Sequence, residues 1–85
     1  MPYIDKNKRN KYSDTLYDLS NIDIETKGEL EYLIFSLMIQ YMKNKEYRYS
    51  ILHDCTYAAT HCGDEFRRRF LDAREDSART ENGDC

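Results

Sequence analysis

Four arginines, Arg67, Arg68, Arg69 and Arg74, form the densest positive feature in a chain of 85 residues with a formal net charge of −3. A guanidinium presents a planar fork of donors that grips phosphate or carboxylate bidentately and stacks on aromatic rings. The chain offers eight tyrosines and no tryptophan for that stacking. One chemistry these residues could support is a pocket for a nucleotide or another planar anion, with Arg68, Arg69, Lys8, Arg9 and Tyr3 as candidate ligand-binding residues. The plainer chemistry is ion pairing along a helix. Glu65 and Asp72 each stand three or four residues from Arg68 and Arg69, and such pairs contribute about 0.2–0.5 kcal/mol each.

The histidines and cysteines point away from catalysis. His53, Tyr57 and His61 recur at four-residue intervals, with Asp64 and Glu65 one turn further on. On a single helix His53 and His61 lie about 12 Å apart along the axis, too far to share an ion. His61 with Asp64 or Glu65 supplies two ligands where a structural zinc site takes four. Cys62 follows His61 directly, which turns the two side chains about 100° apart around a helix, so they form no nucleophile and base pair. Glycine occurs only at 28, 63 and 83, which leaves no phosphate-cradling loop. The chain is expected to be no enzyme and to carry no metal and no cofactor.

Helices must position these groups. The apolar rhythm Ile51, Cys55, Ala58 or Ala59, Cys62, Phe66, Phe70 and Ala73 predicts a C-terminal helix about seven turns long, opened by Ser50 as N-cap. Gly63 interrupts it at a cost of about 1 kcal/mol against Ala, which implies close packing or a bend there. A second helix opening at Gly28 carries the stripe Leu30, Leu33, Ile34, Leu37, Met38, Tyr41 and Met42, wide enough for two neighbours, with Tyr32 and Phe35 on a further side. A first helix over about residues 6–20, with Asp5 as N-cap, aligns Tyr12, Leu16 and Leu19. Met1-Pro2-Tyr3-Ile4 reads as the apolar part of a plug over residues 1–5 that docks in a groove, and residues 78–85 as a C-terminal turn or tail. Leu37 and Phe66 are expected in the core, where truncation to Ala costs roughly 2–5 kcal/mol.

These elements make one all-α domain over residues 1–85: a three-helix protein with a long C-terminal helix, expected to complete an oligomeric helical bundle. A chain this small buries only about 60–65% of its unfolded surface, and no staple offsets that. Cys55 and Cys62, about 10 Å apart along the helix, cannot pair with each other and read as buried small hydrophobes. Cys85 reads as a free terminal thiol. Charge is polarised: residues 1–12 carry +3, residues 13–46 carry −4, residues 47–75 balance, and residues 76–85 carry −2. Such a chain attracts its own copies, whereas basic residues split between distant segments do not suit duplex DNA. No apolar run reaches the roughly 18 residues of a membrane span.

Particular stretches also resemble a known group: Met1-Pro2-Tyr3-Ile4, Arg9, Gly28-Glu29-Leu30-Glu31-Tyr32, Glu65-Phe66-Arg67-Arg68-Arg69, Glu75-Asp76 and Glu81-Asn82-Gly83-Asp84. Together they are similar to a family of small, functionally uncharacterised phage and bacterial proteins that open Met-Pro-Tyr-Ile and close Glu-Asn-Gly-Asp. The chain departs from that pattern at Glu31, at Ala73-Arg74 in place of a Pro-Tyr pair, and at Cys85. The absent proline implies a longer final helix than in the relatives. The resemblance implies a setting in which the termini meet each other or a neighbouring subunit.

The functional expectation is a non-enzymatic, cytoplasmic homo-oligomer, in the host cytoplasm if phage-encoded, that sequesters an anionic, nucleotide-like signal of host defence. The alternative is an adaptor or inhibitor that grips a host protein through Tyr32, Phe35, Tyr47 and Tyr49.

Overall fold

Thr26 sets the start of the most apolar helix. Its hydroxyl accepts from the Glu29 backbone N–H at 3.1 Å and donates to the Glu29 carboxylate at 3.0 Å, a capping box that satisfies donors the first turn leaves free. The computed structural model describes residues 3–83. Within them, helix α1 covers residues 6–20, as Lys6–Arg9, a 3-10 turn Asn10–Tyr12 and Ser13–Ser20. Helix α2 is Lys27–Met42. Helix α3 covers residues 49–82, as Tyr49–Phe66, a π-helical turn Arg67–Leu71 and Asp72–Asn82. Among the described residues there is no strand.

Asn44, at φ 68°, turns the chain sharply after α2; asparagine tolerates this left-handed conformation better than most residues. The turn folds α3 back against α2 as an antiparallel hairpin. Met38 and Met42 of α2 and Ile51, Leu52 and Ala59 of α3 are half-buried, and Cys55 is the one buried residue among those described. The Cys55 thiol donates to the Met38 carbonyl at 3.6 Å, and the Tyr41 hydroxyl donates to Asp54 at 3.1 Å. That second bond is the main reason the Tyr41 hydroxyl is held above its ordinary pKa.

Several sequence expectations need correction. Helix α2 opens one residue before Gly28 because the Thr26 box caps it. Helix α3 begins at Tyr49 with Arg48 as N-cap, so Ser50 falls inside the first turn. Asp5 stands at the N-cap of α1 but caps through its backbone carbonyl, which accepts from Lys8 and Arg9 at 3.0 and 3.1 Å. The final helix runs to Asn82 and ends at Gly83, φ 84°, rather than giving way to a tail after residue 77. Residues 1, 2, 84 and 85, which include half of the Met-Pro-Tyr-Ile plug and Cys85, lie outside the described residues.

The largest correction concerns the core. Leu37 is 69% exposed and Phe66 65% exposed. Helix α2, 16 residues long, spans about 24 Å and the 34 residues of α3 about 51 Å, so α3 overhangs its partner. Phe66 and Phe70, with rings 4.8 Å apart, sit on that overhang. Leu37 belongs to a side of α2 that α3 does not reach. Cys62 is likewise exposed rather than buried. An added Cβ at Gly63 meets nothing within 4 Å, and the helix runs through it unbroken, so Gly63 serves neither close packing nor a bend within the chain.

These gaps add up to an open molecule. The radius of gyration is 16.7 Å, against about 12 Å for a compact domain of this length. The accessible surface is 8059 Å², against about 5,300 Å² for a folded monomer of this mass.

Candidate functional site

Glu65 and the two arginines that follow share one face of α3 because the spacing is three and four residues. Arg68 donates to both Glu65 oxygens, from Nε at 3.2 Å and from Nη2 at 2.5 Å. Arg69 donates from Nε to Glu65 Oε1 at 2.9 Å. The third partner comes from 62 residues away: the Tyr3 hydroxyl donates to the same Oε1 at 2.7 Å and accepts from Arg69 Nη2. The Arg69 guanidinium also lies over the Tyr3 ring, 5.0 Å from its centroid, a cation–π contact. Arg9 completes the arrangement by donating from Nε to the Ile4 carbonyl at 2.9 Å, which ties the N-terminal segment to the start of α1.

Four of the five candidate ligand residues are therefore linked: Tyr3, Arg68 and Arg69 directly, and Arg9 through the residue next to Tyr3. Lys8 is exposed on the first turn of α1 and is not drawn in. Glu65 is the organiser. Its side chain is 14% exposed, covered by its own partners rather than by depth in a core. The donated hydrogen bonds, that of Arg68 foremost, then those of Tyr3 and Arg69, hold its carboxyl at about 2 rather than 4.5. Glu65 in turn keeps the Arg68 guanidinium more firmly charged. Asp72 does not take up the pairing expected of it; Arg67 pairs with Asp64 at 4.0 Å instead.

The arginine triplet lies in the π-helical turn Arg67–Leu71. A π turn inserts one residue, which rotates everything downstream by about 100° relative to an unbroken α-helix. The apolar rhythm from Phe66 to Ala73 is thereby broken. Arg68 and Arg69 each have the Nε and Nη2 edge committed to Glu65 or Tyr3, and the Nη1 end takes no part in these bonds. That end is the one an external anion could take.

Because the folded pKa of Glu65 is depressed, its contribution to stability is fully present above about 4.5 and is lost as pH falls through about 2. A carbon-detected NMR titration is expected to place the Glu65 midpoint near 2, with the Tyr3 ring signals shifting in step. A midpoint near 4.5 would show that the Tyr3 cluster does not form in solution.

The histidines form an aromatic ladder on α3, with centroids 5.7 Å apart for Tyr49 and His53, 4.2 Å for His53 and Tyr57, and 6.1 Å for Tyr57 and His61. Among the described residues no three His, Cys, Asp or Glu side chains converge on a point where an ion could sit. His53→Ala and His61→Ala are expected to change stability by less than about 0.5 kcal/mol, as for exposed substitutions elsewhere, and zinc is expected to leave the melting temperature unmoved. A zinc-dependent rise abolished by either variant would contradict this.

The aromatic partner residues of the alternative expectation are all open to solvent. Tyr32 and Phe35 project from one side of α2, and Tyr47 and Tyr49 are about 80% exposed at the hairpin turn. A cavity of about 480 Å³ lies between the 21–26 connection and the first turns of α2, lined by Ile22, Ile24 and Leu33 among others. It contains none of the arginines.

The fold and this surface define a small all-helical protein of three helices, the last of them long. Over residues 1–85 the chain matches the model of a protein family described as Domain of unknown function (DUF6899), and it belongs to that family. Neither the curated proteins nor the solved structures contain a match to it. Among the described residues no helix is long and apolar enough to cross a membrane.

Proposed function

We propose that this chain is a non-enzymatic binding protein that works as a homo-oligomer in the cytoplasm and holds an anionic, nucleotide-like small molecule at the Tyr3, Arg68 and Arg69 cluster. The observation that carries the reading is that Arg68 and Arg69 share the Glu65 carboxylate and Arg69 also bonds Tyr3, whose neighbour Ile4 is held by Arg9, while the Nη1 ends of Arg68 and Arg69 take no part in these bonds. Positive charge exceeds negative among the linked side chains, and Glu65 and Tyr3 fix the arginines in place before any ligand arrives, which lowers the ordering cost of binding. The cluster is open on one side, so a second copy is needed to enclose a ligand. The resemblance to a family of phage and bacterial proteins suggests a signal of host defence as the ligand class, by analogy of setting alone.

A thermal-shift screen against mono-, di- and cyclic nucleotides tests this reading. A nucleotide that raises the melting temperature of the wild type but not of Arg69→Ala supports it. A second reading, an adaptor or inhibitor of a host protein, is favoured by the exposure of Tyr32, Phe35, Tyr47 and Tyr49. No stabilising nucleotide, together with a host protein bound by the wild type and lost with Phe35→Asp, would replace the first reading by the second.

A further inference from the structure

Helix α2 has far more apolar surface than α3 covers. At about 100° per residue, Met38 and Met42 face α3, and Glu29, Ser36 and Gln40 form a narrow polar strip on the opposite side. Between them, a quarter turn from the seam, run Leu30, Ile34, Leu37 and Tyr41, all exposed, at a 4-3-4 spacing. No charged residue interrupts this stripe. Its one polar group, the Tyr41 hydroxyl, is already satisfied by Asp54, so covering the stripe strands no donor or acceptor. Lys45 lies over the Tyr41 ring at 4.0 Å and marks the end of the stripe.

We infer that the occupant of the Leu30, Ile34, Leu37 and Tyr41 stripe is the same stripe of a second copy, packed antiparallel about a two-fold axis. Three observations favour a second copy. First, the stripe is its own complement: a two-fold axis between Phe35 and Ser36 sets Leu30 against the partner's Tyr41 and Ile34 against the partner's Leu37, the isologous pattern of C2 dimers. Second, the ends of α2 are oppositely charged, with Glu25, Glu29 and Glu31 against Lys27 at its start and Lys43, Lys45 and Arg48 against Glu46 at its end. Antiparallel pairing brings each acidic end to a basic one and opposes the helix dipoles favourably. Third, the chain needs cover: it exposes roughly 2,700 Å² more than a folded monomer of its mass, and a second copy packed on its most apolar helix removes part of that excess from water.

This interface rests on the homo-oligomer reading above and places assembly on α2, whereas the sequence alone points to the long helix. Leu37 is exposed in the single chain, so Leu37→Glu should leave the hairpin folded, as checked by helical circular dichroism. Sedimentation equilibrium is expected to show a dimer or larger species for the wild type at micromolar concentration, a dissociation constant raised at least about 100-fold for Leu37→Glu, and assembly retained by Phe35→Asp on the other side of α2. Lys43→Glu with Lys45→Glu should weaken association, and adding Glu25→Lys with Glu31→Lys should restore it. A monomeric wild type would overturn both the interface and the homo-oligomer reading. An assembled wild type that tolerates Leu37→Glu, or is also dissociated by Phe35→Asp, would overturn the interface alone. Failure of the charge reversal to restore association would overturn the antiparallel arrangement.

Discussion

Met38→Ala is expected to lower the free energy of unfolding by roughly 2–4 kcal/mol, the range for truncating a packed methionine, at any protein concentration. Met38 is half-buried beside Cys55, the one buried residue among those described, and its carbonyl accepts the Cys55 thiol. A domain of this length has about 4–13 kcal/mol in total, so the loss reaches a large share of it. Leu37→Ala, one position away, provides the contrast. Its side chain stands in solvent in the single chain, where truncation costs no more than about 0.5 kcal/mol. In an obligate dimer each tenfold rise in concentration adds about 1.4 kcal/mol to the unfolding free energy. Urea titrations at two well-separated concentrations should therefore show wild type and Met38→Ala gaining stability in parallel, and Leu37→Ala gaining little. Equal losses for the two alanine variants at high dilution would return Leu37 to the core of the single chain.

The contrast between these neighbours shows how far the residues alone could be read. Periodicity located all three helices, because it depends only on each helix having an apolar face. It could not say which part of an apolar arc meets which neighbour. The Leu30 to Met42 stripe is wide, and the Asn44 turn fixed α3 against the Met38 and Met42 edge of it. The start of α2 was legible in principle, since Thr26 and Glu29 have capping-box spacing, but Gly28 drew the boundary inward. Nothing in composition marks the π turn at Arg67–Leu71, as an inserted residue changes the register without changing residue types.

For the candidate site, the local half was legible and the distant half was not. Glu65, Arg68 and Arg69 follow from i, i+3 and i+4 spacing. The role of Tyr3 depends on a contact across 62 positions, which no local pattern encodes. The same contact explains why an arginine-rich segment lies on an otherwise unpartnered overhang. Tyr3 anchors the N-terminal segment there, and the segment returns part of the cover that α2 is too short to provide.

A stabilising nucleotide is expected to add about 2.7 kcal/mol to the unfolding free energy when present at 100 times its dissociation constant, a shift large against the small total stability of this chain. The argument for Arg69 is geometric. Its Nε reaches Glu65 and its Nη2 reaches the Tyr3 hydroxyl while the guanidinium lies over the Tyr3 ring, 5.0 Å from its centroid, so three contacts fix the direction of its free end. Arg69→Lys keeps the charge but can reproduce neither the fork nor the stacking. Affinity should fall by at least about tenfold, roughly 1.4 kcal/mol. Arg67→Lys, at an exposed residue that pairs only loosely with Asp64, should leave affinity within about twofold. Isothermal titration with the nucleotide found in the screen measures both. Equal affinities for wild type and Arg69→Lys would mean that the arginines act only as diffuse charge, and the Tyr3 cluster would then be a structural latch rather than a ligand site.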